Sequence, residues 1–312
     1  MEAREKLTWD QFKFYTGLTK TMFEILYTFL GREEVCGSLK YKYNDKTPKR
    51  EQFIGDLFPK DKLFMTLLRL RRGIPVKDLG VLFNVHGSWA ARVVCVWVRF
   101  MSLQFKLLES SMFPTADAQN SLKPKCYEKF PKLRGIIDST EFKIQRPKHM
   151  QQQSNTYSAY KGANTLKALV CLSCHGGLSY ISEGYEGSIY DRKLLIESGL
   201  LEKMLPEEAL MADRGFDAED LFDERDLELI MPAFLGNREN FTARELIRNR
   251  AIAVSRIHVE TFIGMIKQFR LVRYVIPNSM LAYASDLIKV CAFLANFQLP
   301  YIKNDTDDND NN

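Results

Sequence analysis

Residues 242–269, TARELIRNRAIAVSRIHVETFIGMIKQF, constrain this chain more than any other stretch. They read as one long helix in which Arg256, Glu260 and Lys267 stand four and seven residues apart. At about 100° per residue these three share one narrow stripe. Ile257, Val259, Phe262, Ile263, Ile266 and Phe269 fall elsewhere on the wheel and give the helix a dense apolar flank. Such a helix packs into a core and carries its charged stripe into partly dry surroundings. A lone carboxylate is costly there unless it pairs with a cation or ligates a metal. The plainer alternative is a solvated face on which Arg256 and Glu260 form an ordinary i,i+4 pair.

A chain of 312 residues can bury a substantial core, and its length predicts two domains rather than one. Hydrophobic content of 46% and charged content of 27% are globular values and argue against general disorder. The most apolar late stretch, 287–302, is interrupted by Lys289, Asn296 and Gln298, so no membrane span is expected, and MEAREKLTWDQ lacks a secretory pattern. The six irregularly spaced cysteines read as free thiols. Charge is unevenly placed: 24 Lys and Arg stand against 14 Asp and Glu up to Ile137, and 20 against 25 after it. The basic part suits a polyanion, and the acidic part needs cations where its carboxylates converge.

Thr19 is a candidate cap for a helix beginning near Lys20 and ending at Gly31. Residues 1–58 are expected to hold this helical segment followed by a basic linker carrying Lys40, Lys42, Lys46, Lys49 and Arg50 around Tyr41 and Tyr43. Residues 59–110 are more specific. Pro59 opens a helix that Gly73 closes, Pro75 opens a second, and Ser88 caps a third after the Val85-His86-Gly87 turn. This is a helix-turn-helix pattern, with a plain helical bundle as the alternative. In it Ser88, Trp89 and Arg92 face a DNA groove, while Arg69, Arg71 and Arg72 lie near the backbone.

Turn formers over 111–133 read as a linker, and a different architecture follows over 134–302. RGIIDSTEFKI, TLKALVCLSC and LSYISEGYEG read as strands, the last two joined at His175-Gly176-Gly177. YDRKLLIESGL is then a helix, EALMADRGF a strand, AEDLFDERD a helix, LELIMPAF a strand, and the long helix comes last. The order β-β-β-α-β-α-β-α predicts an α/β fold, a mixed sheet flanked by helices and preceded by an all-α region. Asp138 and Asp213 close hydrophobic strands, and ligands in open α/β sheets collect beyond strand carboxyl ends. With Glu260 they make three hard oxygen donors without a histidine set, which suits Mg²⁺ or Mn²⁺ rather than zinc. Two such ions serve phosphodiester transfer. Either aspartate alone is as well explained as a turn cap.

GIIDSTEF, YSAYKGANTLKAL, MADRGF and RIHVETFIGMIK together resemble the catalytic domain of DDE-superfamily transposases, particularly PIF/Harbinger-like and insertion-sequence-related endonucleases. The resemblance runs over about 134–297, and the helix-turn-helix is similar to the one those proteins carry. It implies a ribonuclease-H-like core and places catalytic, metal-binding Asp138, Asp213 and Glu260 in it. It also implies DNA contacts from Lys161, Lys167, Arg256 and Lys267. Related enzymes carry Tyr, Arg, Glu and Lys separated by two, three and six residues on the glutamate helix, and Ala253 here replaces the tyrosine. The same resemblance implies a nuclear protein that acts on DNA as a homo-oligomer with a Myb-like or other DNA-binding partner. A catalytically inactive, domesticated DNA-binding or scaffolding protein is the alternative.

Cys171-x-x-Cys174-His175 matches a minimal haem or metal-thiol pattern, but its predicted strand position favours buried thiols. His258 points about 200° away from Glu260, and Asp191 suits a helix N-terminus. The tail 303–312 is too acidic and polar to pack, so it is expected to be disordered.

Overall fold

The structure, a computed structural model, describes residues 2–41, 57–120, 123–236 and 238–298. Lys42, Tyr43, Lys46, Lys49 and Arg50 of the expected basic linker, and the acidic tail, lie outside the described residues. Contacts divide the chain into two compact units. The first holds residues up to 107 with 143–145 and 266–298, and the second holds 108–142 and 146–265.

The first unit is helical. Thr19 Oγ1 accepts from Met22 N at 3.1 Å and starts the expected helix Lys20–Phe29. A helix over Trp9–Thr16 was not foreseen from the sequence. It carries a reciprocal cap in which Thr8 Oγ1 accepts from Gln11 N and Gln11 Oε1 accepts from Thr8 N, a T-x-x-Q signature that is visible in the chain. Pro59–Arg72, Val76–Leu82 and Gly87–Lys106 form the three expected later helices, with Gly73 at φ +68° ending the first. The last two turn by 104° across the Phe83–His86 connection, within the range of a helix-turn-helix. Its cap is His86 rather than Ser88, with the ring Nδ1 accepting from Ser88 N at 3.2 Å. Among the described residues no single helix is long and apolar enough to cross a membrane.

Three arginines expected near a DNA backbone are engaged inside this unit. Arg69 Nη1 donates to Gly73 O at 2.9 Å and Ile74 O at 2.7 Å, closing the turn after its own helix. Arg71 reaches Gln268 and Gln298 and covers the Phe269 ring, and Arg72 lies 3.8 Å from the Phe14 ring centroid. Helix Ala284–Asn296 belongs to this unit as well, its Phe293 ring stacked 4.7 Å from Phe105.

The second unit is built on a sheet whose strands are β1 (Leu133–Lys143), β2 (Tyr157–Ser158), β3 (Ala163–Leu172), β4 (Leu178–Ile181), β5 (Tyr185–Glu186), β6 (Ala209–Met211) and β7 (Glu228–Ile230). They run in the order β2-β3-β1-β6-β7, with β4 and β5 pairing antiparallel to β3, while β1, β6 and β7 are mutually parallel. The expected third strand is thus divided into β4 and β5, and β2 was not expected. β1 and β3 approach so closely that a Cβ on Gly135 would stand 2.4 Å from Cys171 Sγ. Cys171 and Cys174 are buried free thiols, as the strand position implied. One core gathers Ile137, Leu169, Leu194, Leu195, Leu210, Phe216 and Phe222 from the sheet, the helices Asp191–Ser198 and Glu219–Asp223, and the turn after β6.

The stretch read as a linker holds helical turns Glu109–Met112, Ala116–Asn120 and Lys125–Tyr127. It is pinned to β1 by a buried ion pair of Arg134 and Glu208. Arg134 Nη2 donates to Phe113 O at 3.0 Å, and Glu208 accepts from Ala116 N at 2.9 Å and Leu205 N at 2.8 Å. Breaking a buried pair strands a charge. Glu208→Ala is therefore expected to cost about 3–5 kcal/mol in urea unfolding. The double change Arg134→Met, Glu208→Leu should recover much of that loss; equal losses in both variants would show that the stranded charge is not its source.

Candidate functional site

The parallel register of β1 against β6 sets the geometry. Ile136 pairs with Met211, so Asp138 and Asp213, each two residues further on, emerge at the same edge of the sheet. Asp138 is the first residue of β1 to leave full burial, and its Oδ1 accepts from Ser139 N at 2.8 Å. Asp213 begins a turn in which Phe216 N donates to Asp213 O at 3.2 Å while the Phe216 ring anchors in the core. Its Oδ1 accepts from Arg214 N at 2.8 Å.

The long helix, Ala243–Ile266, supplies the third acid. Thr242 and Glu245 cap it reciprocally, each side chain accepting from the other's backbone N–H. Ile252, Ser255, Val259, Phe262, Ile263, Met265 and Ile266 form its buried face, following the helical period, and Tyr127 donates from its hydroxyl to Ser255 O at 3.1 Å. Ile257, expected on the apolar flank, is exposed. Arg256 and Glu260 flank the buried face. Arg256 is only 13% exposed, whereas Asp213 and Glu260 are 51% and 60% exposed. Its Nη1 lies 3.2 Å from Asp213 Oδ1 and its Nη2 3.7 Å from Glu260 Oε1, so one guanidinium spans the strand end and the helix.

All three acids share one electrostatic neighbourhood. Burial pushes the Asp138 carboxyl up to about 6, with the Asp213 and Glu260 charges adding to the rise and the Ser139 N–H and Arg256 opposing it. Among the described residues, no three His, Cys, Asp or Glu side chains stand in an arrangement ready to enclose one ion. The acids are arrayed around Arg256 instead.

The remaining sequence-derived residues divide. Lys167 Nζ is bound to Asp191 Oδ1 at 2.9 Å and is 12% exposed, so it is a structural partner rather than an open DNA contact. That pair sits beside the Asp213 turn, where a Cβ on Gly215 would lie 3.8 Å from Asp191 Oδ2; no spacing rule announces it. Lys161 is exposed beside the Tyr160 ring, and Lys267 is half-buried one residue beyond the helix end. Ser88 is exposed and Arg92 half-buried on the first turns of Gly87–Lys106. Trp89 corrects the expectation: it is 8% exposed and packs against Tyr41 under the Lys62 ammonium, which removes it from any groove. His258 is half-buried beside Tyr127, and burial lowers its pKa.

Residues 137–296, more than half of the chain, match the family model described as DDE superfamily endonuclease. The chain belongs to that family. Residues 55–107 match the helix-turn-helix of DDE superfamily endonuclease, which covers the three helices with the 104° turn. No curated protein and no solved structure matches the chain. Within the DDE endonuclease match lie Asp138, Asp213 and Glu260, the acids gathered by register and helix.

A carboxylate whose folded pKa is raised destabilises the fold once ionised. The deficit is absent below about pH 4, grows as pH rises towards 6 and is complete above it. Asp138→Asn, uncharged throughout, should therefore be more stable than wild type by about 2 kcal/mol at pH 7.5 in EDTA and nearly equal to it at pH 3.5. Denaturant titrations at the two pH values check this, and a difference independent of pH would contradict the assigned environment.

Proposed function

We propose that this DDE superfamily endonuclease cuts DNA phosphodiester bonds with divalent cations held by Asp138, Asp213 and Glu260. The register that delivers both aspartates to one sheet edge, with Glu260 joined to Asp213 through Arg256, carries the reading. The donor set fits such ions: three carboxylates against one guanidinium leave a local excess of negative charge, and Asp138 is already disfavoured as an anion. Bound there, Mg²⁺ or Mn²⁺ would lower the pKa of a water or hydroxyl and neutralise charge on the phosphoryl and leaving oxygens.

The chain's own groups then have separable tasks. The β1 and β6 ends hold Asp138 and Asp213 at a fixed spacing, because both strands continue directly into the buried core. Glu260 rides on a helix fixed by seven buried positions and is exposed enough to move between Arg256 and a cation. Arg256 keeps the acids assembled before cations and DNA arrive, and can turn to a phosphate once they do. In the hydrolytic step a water oxygen bonds to phosphorus as the bond from phosphorus to the leaving oxygen breaks, without a covalent enzyme intermediate. Lys161 and Lys267, with Ser88 and Arg92 in the helix-turn-helix, are the remaining candidate DNA contacts.

The order of β4-β3-β1-β6-β7, antiparallel on one side and parallel on the other, supports a ribonuclease-H-like assignment for the sheet. A PIF/Harbinger-like element, action as a homo-oligomer with a Myb-like or other partner, and a nuclear location complete the proposed reading. One observation favours a second reading, a non-cutting DNA-binding protein: the position between Asp213 and Glu260 already holds an internal cation, Arg256.

Supercoiled plasmid separates the two. Wild-type protein with Mg²⁺ or Mn²⁺ is expected to nick or linearise it, EDTA to stop cutting, and Asp213→Asn to lower the rate by about a hundredfold or more while leaving DNA affinity within a few-fold. Tight DNA binding with no metal-stimulated cutting would establish the second reading.

A further inference from the structure

The second unit has a cleft of about 410 Å³ on the long helix, lined by Lys125, Cys126, Lys129, Ile247, Arg250, Ala251 and Val254. Its chemistry is two-sided. Lys125, Lys129 and Arg250 supply three exposed cations, and no carboxylate is among the lining residues. Between them lie exposed Ile247 and Val254, with Ala251 and Cys126 half-buried. Leu246 and Ile257 continue the exposed apolar surface along the same helix. Isolated surface aliphatics need no explanation, but a concave group rimmed by charge of one sign does.

This cleft is separate from the carboxylate cluster. Arg250 precedes Glu260 by ten residues, which is about 15 Å along the helix axis, and the two side chains differ by about 80° around it. Duplex DNA would satisfy the cations better than the floor, because its highly charged backbone offers only small, interrupted patches of sugar C–H to cover Ile247 and Val254. An acidic peptide with interspersed Leu or Phe satisfies both, its carboxylates meeting the rim and its apolar side chains leaving water against the floor.

We infer that the cleft is a docking site for an acidic, apolar-bearing peptide segment of a partner protein. The assignment stands on charge complementarity and the aliphatic floor and is independent of whether the acids cut DNA. Its test uses the full chain and a fluorescein-labelled 14-residue peptide of alternating Asp and Leu, followed by fluorescence anisotropy. Saturable binding is expected, weakened about tenfold or more by Arg250→Glu and, separately, by Ile247→Asp. Both positions are exposed, and unchanged thermal melts of the two variants keep the comparison valid. A peptide with Ser in place of every Leu should bind at least tenfold more weakly. Equal binding of the Ser peptide, insensitivity to Ile247→Asp, or displacement of the Leu peptide by a 30-base-pair duplex with Ile247→Asp also weakening the duplex would overturn the proposal. The last result would assign the cleft to DNA.

Discussion

The guanidinium of Arg256 holds together carboxylates that would otherwise repel one another. Asp213 arrives from the end of a parallel strand and Glu260 from a helix more than forty residues later, and the same side chain lies within 4 Å of both. Burial raises the cost of ionising Asp138, the most enclosed of the three, and the neighbouring Asp213 and Glu260 charges add to it while Arg256 opposes them. With only two neighbours of the cluster close to the cation, the charge there remains uncompensated. That residual negative charge distinguishes the edge from a balanced surface ion pair, and Arg256, turned inward, reaches both Asp213 and Glu260.

How much of this was legible follows from which features are periodic. The buried stripe of the long helix obeys the helical period, so its existence, its length to within a few residues and the placing of Arg256 beside Glu260 could be read from spacing. The convergence of Asp138 and Asp213 was visible only as two acids ending apolar strands. It became geometry through the Ile136–Met211 pairing, and no local pattern encodes a parallel register between segments more than seventy residues apart. Short features with explicit side-chain signatures are legible in the chain, as with the Thr8–Gln11 cap and the Thr242–Glu245 cap. The pair of Lys167 and Asp191 has no signature at all, since a lysine on a strand looks the same whether it meets solvent or a half-buried carboxylate.

The helix-turn-helix shows the same limit from the other direction. Its helices, their proline starts and the Gly73 stop were readable because each depends on backbone preferences of single residues. The fate of its side chains depends on packing. Trp89 sits on the first turn of the third helix, where a groove-facing residue is expected, yet its large apolar surface is withdrawn against Tyr41. Arg69 and Arg71 are likewise spent on carbonyl and amide partners, and burial lowers the pKa of both. A count of basic residues in the first half of the chain therefore overstates the field presented to a polyanion. The exposed cations, not the total, determine electrostatic attraction.

A helix of 24 residues is long enough to serve two surfaces, and the distribution of its arginines shows that it does. Arg256 turns inward beside the buried stripe, whereas Arg250, less than two turns earlier, points into an exposed cleft with lysines from the Lys125–Tyr127 turn and its sequel. Tyr127 belongs to that same turn and fastens it to the helix through Ser255 O. The segment that first read as a linker thereby becomes one wall of the cleft and a brace for the helix that presents Glu260. The cleft and Glu260 are thus carried by the same helix, about 15 Å apart along its axis, and the Tyr127 turn supports both.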